Sequence, residues 1–253
     1  MLKKALSLTL LFTALPALGQ PPTLQTEAIE TRLEHASRKG LTSELRELAA
    51  SLRLEVEEDP GNRAARYNLA YASWRICQQL MPEVDAAEQR DAALTEARGQ
   101  LEAIVEIDGK DVEALSLLSA VLGQLIGESS IRGMTLGPRA GAYISKAARL
   151  DPDNPRVALQ QGVSAFHTPG LFGGGLDKSR TSLERAALLF AQQETTSWPD
   201  WGEIDALTWL GQVYAKQGLI EEARATYQRA LALEPDSGWV RYVLLPQLER
   251  EAG

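Results

Sequence analysis

Residues 204–237 read IDALTWLGQVYAKQGLIEEARATYQRALALEPDS, and this stretch decides the fold. Its small and large apolar residues recur mostly at intervals of three to five positions, which is the spacing of one face of an α-helix. Gly218 lies near the middle of the pattern and Pro235 follows its end, as a turn and a helix stop would require. The stretch therefore predicts two consecutive helices joined by a short turn.

The spacing of this helix pair resembles the signature of a tetratricopeptide repeat, whose unit is about 34 residues long. The matching positions are Leu207, Leu210, Gly211, Tyr214, Gly218, Ala223, Tyr227, Ala230 and Pro235. The resemblance implies helix pairs stacked into a solenoid, which binds other proteins and performs no chemistry.

Earlier parts of the chain repeat the same offsets more weakly, and turns rich in proline and capping residues separate the copies at 59–62, 151–154 and 234–237. No segment alternates with a period of two, so no sheet is expected. The predicted fold class is all-α, an α-solenoid of about five antiparallel helix pairs with a C-terminal capping helix. The predicted pairs cover 25–58, 62–107, 111–150, 155–193 and 203–233, and the cap covers about 238–251.

Three of the predicted pairs are longer than a standard repeat, with extra residues near 79–84, 127–137 and 168–176. Each insertion falls between the first and second helix of its pair, and such connections emerge on one edge of a solenoid. Insertions on one edge often mark a binding face. Tolerated variation of surface loops is the alternative interpretation.

Residues 1–19 have the layout of a secretory signal peptide, with Lys3 and Lys4 before an apolar run and small residues at Ala17 and Gly19. The run is shorter than the roughly 20 residues that span a bilayer, and an uncleaved anchor is the alternative. Gln20 occupies the position where a lipoprotein carries cysteine. We therefore expect an exported bacterial protein, periplasmic or secreted, not lipidated and not membrane-spanning after cleavage, with 20–253 as one domain.

The layout of the chain is similar to that of small exported bacterial tetratricopeptide proteins of unassigned function. The shared features are the signal peptide and the segments 134–138, 168–175 and 199–202. This closer resemblance implies no mechanism.

The charge balance argues against nucleic acid as a partner. The net charge is −8, and removal of the two lysines in the signal segment takes it to −10. So acidic a chain repels phosphate backbones. The single cysteine, Cys77, excludes an internal disulfide.

No constellation of residues indicates catalysis, a metal or a cofactor. His35 and His167 are the only histidines and are far apart in sequence. The glycine-rich segment 167–179 resembles a phosphate-binding loop only superficially, because Lys178 does not directly follow Gly175. We therefore predict a protein that is not an enzyme and has no metal and no cofactor.

The repeat resemblance implies that five positions of each first helix line the concave surface of the solenoid. The residues there that we predict to form a partner-binding groove are Tyr67, Tyr71, Trp74, Arg75, Arg156, Phe166, Gln212 and Lys216. Tyr67, Tyr71 and Trp74 share one helix stripe because they lie at i, i+4 and i+7. Tyrosine, tryptophan and arginine are enriched among residues that dominate binding energy.

Two interpretations of this groove are open from the sequence. In the first, an exported adaptor or scaffold binds an extended peptide or a helix of a partner protein in the groove. In the second, inserted loops fold back and bury the stripe as ordinary core. The alternative function is a periplasmic module for a small ligand, with the insertion loops closing over the groove.

Overall fold

The computed structural model describes residues 24–127, 130–193 and 199–252, and the predicted signal peptide lies outside these ranges. The α-helices are α1 (Leu24–Arg38), α2 (Thr42–Glu58), α3 (Arg63–Gln79), α4 (Ala87–Ile107), α5 (Val112–Gly127), α6 (Ser130–Leu150), α7 (Pro155–His167), α8 (Leu176–Gln192), α9 (Glu203–Lys216), α10 (Ile220–Leu233) and α11 (Leu245–Ala252). Two 3₁₀ turns, Val84–Ala86 and Gly170–Phe172, follow α3 and α7, and a π-helical segment, Val240–Leu244, leads into α11. The described residues contain no strand.

Successive helices pack as antiparallel pairs, and successive pairs stack. The all-α solenoid fold class is therefore confirmed, and each pair begins and ends within a few residues of its predicted bounds. Helix starts follow from their capping residues: the Asn62 side chain accepts a hydrogen bond from the backbone N–H of Ala65 at 3.0 Å, and Asn154 does the same for Arg156 at 3.0 Å. No helix in the described part of the chain is both long and apolar enough to cross a bilayer.

The insertion expected at 127–137 is largely helical rather than an open loop. Helix α6 begins at Ser130, so Pro138 lies inside it. Leu136 is buried in the part of α6 that precedes Pro138, and this burial explains why the helix begins before the proline.

Small residues allow the paired helices to approach closely. A Cβ atom added at Gly211 of α9 would overlap the ring of Tyr227 on α10, and Tyr227 is 1% exposed. The glycine of the repeat signature is therefore a packing requirement.

Replacing Gly211 with alanine should lower the free energy of unfolding by about 1–3 kcal/mol, because the Tyr227 ring must move in a close-packed interior. Gly123 in α5 is a matched control, since its added Cβ meets no atom within 4 Å. Alanine there should leave stability unchanged or raise it by up to about 1 kcal/mol through helix propensity. Urea unfolding of both variants measures the difference, and equal effects at the two glycines would contradict the packing role.

The two ends of the stack meet. The ammonium group of Lys39, in the turn after α1, lies 2.9 Å from Oε1 of Glu234 and 2.7 Å from Oδ2 of Asp236, both in the turn after α10. Deeper inside, the guanidinium of Arg75 on α3 contacts both carboxylate oxygens of Asp205 on α9, at 3.1 and 2.5 Å. The solenoid therefore curves enough for its first and last pairs to touch.

Candidate partner-binding surface

The aromatic stripe of α3 is buried. Tyr67, Tyr71 and Trp74 are 1%, 4% and 5% exposed. Trp201, just before α9, covers them: its ring lies 5.5 Å from that of Tyr71 and 5.4 Å from that of Trp74, between ring centroids. The indole N–H of Trp201 donates to the hydroxyl of Tyr67 at 3.1 Å. The stripe is thus not accessible to a partner in this conformation, and the covering residue comes from the connection between two pairs rather than from an inserted loop.

Arg75 is held within the same buried region. Besides its ion pair with Asp205, its Nε donates to the hydroxyl of Tyr71 at 3.0 Å, and its guanidinium lies 4.6 Å from the centroid of Trp74. Burial opposes the charged form, but Asp205 outweighs it and holds the pKa of Arg75 well above its ordinary value. The Tyr71 hydroxyl donates in turn to Glu34 at 2.5 Å. These polar groups satisfy one another, so none is offered to a ligand.

Arg156 also has a structural setting. It is 3% exposed, and its guanidinium forms two hydrogen bonds to the Glu113 carboxylate, at 2.7 and 3.0 Å. Burial lowers the pKa of Arg156, but the Glu113 charge overcomes that effect and leaves it raised. The pair joins α7 to α5. Five of the eight residues predicted for the groove are therefore buried, and the binding role proposed for them stays a prediction.

The accessible part of the predicted groove lies at the C-terminal ends of α7 and α9. Here Phe166, His167 and Trp209 form a trio whose ring centroids are 5.1 to 5.3 Å apart. The exposed ammonium of Lys216 lies 5.5 Å from the centroid of Phe166. We call these four residues the α7–α9 aromatic cluster. Gln212, half-buried one turn before Lys216, donates weakly to its own helix at the carbonyl of Thr208, at 3.5 Å.

The imidazole of the cluster is uncharged near neutral pH. Partial burial of the His167 ring lowers its pKa, and the nearby Lys216 ammonium lowers it further. Lys216 is therefore the positive charge of the cluster. The surface combines two aromatic faces, one neutral imidazole and one cation.

The glycine-rich turn that follows α7 carries two exposed apolar side chains. Leu171 and Phe172 are 91% and 76% exposed at its tip. The turn is fixed by its own hydrogen bonds: the N–H of Gly175 donates to the carbonyl of Ala165 at 2.9 Å, and Lys178 Nζ donates to the carbonyl of Gly173 at 2.8 Å. Lys178 thus stabilises the loop. This lysine made the segment look like a phosphate-binding loop, but its role here is structural.

Two tryptophans important to this region are not among the sequence-predicted groove residues. Trp209 lies one position after a residue that the repeat resemblance places on the concave surface. Trp201 lies outside the repeat. The loop composition of 199–202 was the only feature of the sequence that could have indicated a role for Trp201. Among the described residues, no group of three or more His, Cys, Asp or Glu side chains could hold a metal ion.

Stacked helix pairs with this signature define a helical-repeat protein of the tetratricopeptide type. Residues 204–237 match the family model of the tetratricopeptide repeat, so the chain contains a tetratricopeptide repeat there.

Solved structures share this fold across most of the chain. One is the HusA haemophore from Porphyromonas gingivalis, 24% identical, with a TM-score of 0.62 over 79% of this chain and 96% of that one. Another is a thermophilic tetratricopeptide-repeat protein of Thermus thermophilus, 20% identical, with a TM-score of 0.58 over 84% and 95% of the two chains. No curated protein matches the sequence. At these identities, the likeness establishes the fold and assigns no ligand.

Proposed function

We propose that this protein is an exported, bacterial scaffold that binds a protein or peptide partner noncovalently, through the α7–α9 aromatic cluster. The observation that carries the proposal is the exposed side of that cluster, where Lys216 lies beside the ring of Phe166, which in turn contacts the ring of Trp209. The tetratricopeptide fold supports a role in protein interaction, and we assign the chain no catalytic step.

The chemistry of the cluster describes the partner segment. Aromatic faces favour an apolar or aromatic side chain, which buries surface and gains from ring contacts. Lys216 favours a carboxylate next to that side chain, because its exposed ammonium is the positive charge of the cluster. Leu171 and Phe172 add apolar surface at the neighbouring turn. The segment that fits is an extended peptide with an apolar anchor and an acidic neighbour.

Site-specific photocrosslinking tests this proposal and identifies the partner. A photoreactive residue at position 212, followed by mass spectrometry of envelope extracts, should yield a defined partner and contact segment. The change Lys216→Glu should then raise the dissociation constant for that segment at least tenfold, which is about 1.4 kcal/mol.

The matched control is Lys110→Glu, an equally simple charge reversal of an exposed lysine in the turn between α4 and α5. We expect it to leave the dissociation constant unchanged. Equal weakening by both variants would show a general charge effect and would contradict binding at the cluster.

A small planar ligand is the second candidate, and the neutral His167 beside two aromatic rings favours it. Such a site offers stacking surfaces and one metal-ligating nitrogen. Because the Porphyromonas gingivalis protein is a haemophore, haemin is the probe to use. Saturable binding with a raised melting temperature, lost in His167→Ala, would support this candidate over the peptide.

A further inference from the structure

The capping segment at the C-terminal end of the solenoid has an apolar outer face. Trp239, Tyr242 and Val243 are 50%, 75% and 47% exposed, while Val240 and Leu244 on the opposite side are buried against the last pair. Positions i, i+3 and i+4 lie on one face of a helix, so the three exposed side chains form a single stripe. The terminal cap of a helical solenoid ordinarily has a polar outer face, which keeps the end soluble. This cap therefore has a surface suited to being covered.

The second half of the cap provides the complement of that stripe. Glu249 and Arg250 are exposed, and they follow Tyr242 by seven and eight residues, which places them along the same face. In residues 24–127, 130–193 and 199–252, Arg250 forms no ion pair. One face of the cap thus begins with aromatic and apolar groups and ends with charged ones.

Such a face is complementary to itself in an antiparallel arrangement. Tyr242 and Arg250 each lie four residues from Pro246. If two caps cross antiparallel at Pro246, Tyr242 of each copy lies beside Arg250 of the other copy. The same contact therefore occurs twice in the dimer. A guanidinium over an aromatic ring is a favourable contact, and contacts that occur in equivalent pairs are the mark of a two-fold interface.

The other end of the solenoid is a poor partner for this face. The outer helix α2 presents one strongly exposed apolar side chain, Leu54 at 61%, among the exposed carboxylates of Glu47, Glu57 and Glu58. The turn after α1 is also already in contact with the same molecule's Glu234 and Asp236, close to the start of the cap. Head-to-tail stacking therefore gains little apolar burial, whereas two caps can bury their stripes on each other.

We propose that the outer face of the cap, formed by Trp239, Tyr242, Val243 and Arg250, is the interface of a two-fold symmetric dimer of this chain. The exposed stripe of one copy packs against the same stripe of the second copy. The interface lies on a different element from the α7–α9 aromatic cluster, so dimer formation and partner binding are independent properties.

Sedimentation equilibrium tests the proposal on the chain from Gln20 onward. The unchanged protein should sediment as a dimer, and Tyr242→Glu should raise the dimer dissociation constant at least tenfold. Phe172→Glu is the matched control, because Phe172 is 76% exposed and Tyr242 is 75% exposed. This control should leave the dimer intact. Far-ultraviolet circular dichroism checks that both variants keep their helices.

Disulfide trapping tests the geometry of the interface. In a Cys77→Ser background, Pro246→Cys should give a covalent dimer on mild oxidation, since the two copies of position 246 meet at the symmetry axis. A cysteine at position 172 should not. A monomeric unchanged protein, a dimer that survives Tyr242→Glu, or a dimer that position 246 fails to trap would each overturn the proposal.

Discussion

Trp201→Ala should destabilise the protein by about 3–5 kcal/mol, the cost typical of removing a buried tryptophan ring. Trp201 is 3% exposed and fills the space between the aromatic stripe of α3 and the start of α9. Its loss also leaves the buried Tyr67 hydroxyl without the indole donor. In a chain of this size, the melting temperature should fall by roughly 10 °C, measured by circular dichroism.

Two further variants separate packing from hydrogen bonding at this position. Trp201→Phe keeps an aromatic ring but no N–H, so it should lose less stability than Trp201→Ala. Phe172→Ala removes an exposed ring and should change the melting temperature little. A small effect of Trp201→Ala would show that the 199–202 segment leaves the inner wall easily. The stripe Tyr67, Tyr71 and Trp74 would then be available as the groove that the sequence suggested.

Arg156→Met should cost about 3–5 kcal/mol, because it removes one member of a buried ion pair and leaves the Glu113 carboxylate without its cation. Arg156 is 3% exposed on its side chain and Glu113 is 15% exposed. The loss should appear as a lower urea midpoint with an unchanged slope, since the folded state remains compact.

The double variant Glu113→Leu with Arg156→Met distinguishes a lost pair from lost packing. Replacing both charges with apolar groups of similar size removes the unpaired carboxylate, so most of the stability should return. A double variant as unstable as Arg156→Met would contradict this account. Partner capture through position 212 should persist in the double variant, because Arg156 is a link between α5 and α7 and not part of the α7–α9 aromatic cluster.

The sequence was sufficient to predict the helices and their pairing. Gly211 and Tyr227 belong to one repeat, and their contact depends only on the local geometry of two adjacent helices. Phe166 and Lys216 could also be placed on a common surface, because they occupy neighbouring positions in consecutive repeats. In both cases, short-range periodicity carries the information.

The burial of the aromatic stripe could not be predicted in the same way. Trp201 lies outside the repeat pattern and meets Tyr67 from 134 positions away along the chain. That contact depends on the total curvature of the stack, which accumulates from small rotations between successive pairs. The repeat positions identify which side of α3 faces inward, but they do not show whether another part of the molecule fills that side. Arg75 is misleading for the same reason, since its partner Asp205 is on α9.

The contact of Lys39 with Glu234 and Asp236 has a consequence for how the molecule unfolds. Open repeat arrays can fray from their ends, one unit after another, because each unit depends only on its neighbours. Here the termini of the array support each other, together with Arg75 and Asp205 farther in. Hydrogen exchange should therefore report similar protection in α2 and α10, with the chain melting as one cooperative body instead of unzipping from either side.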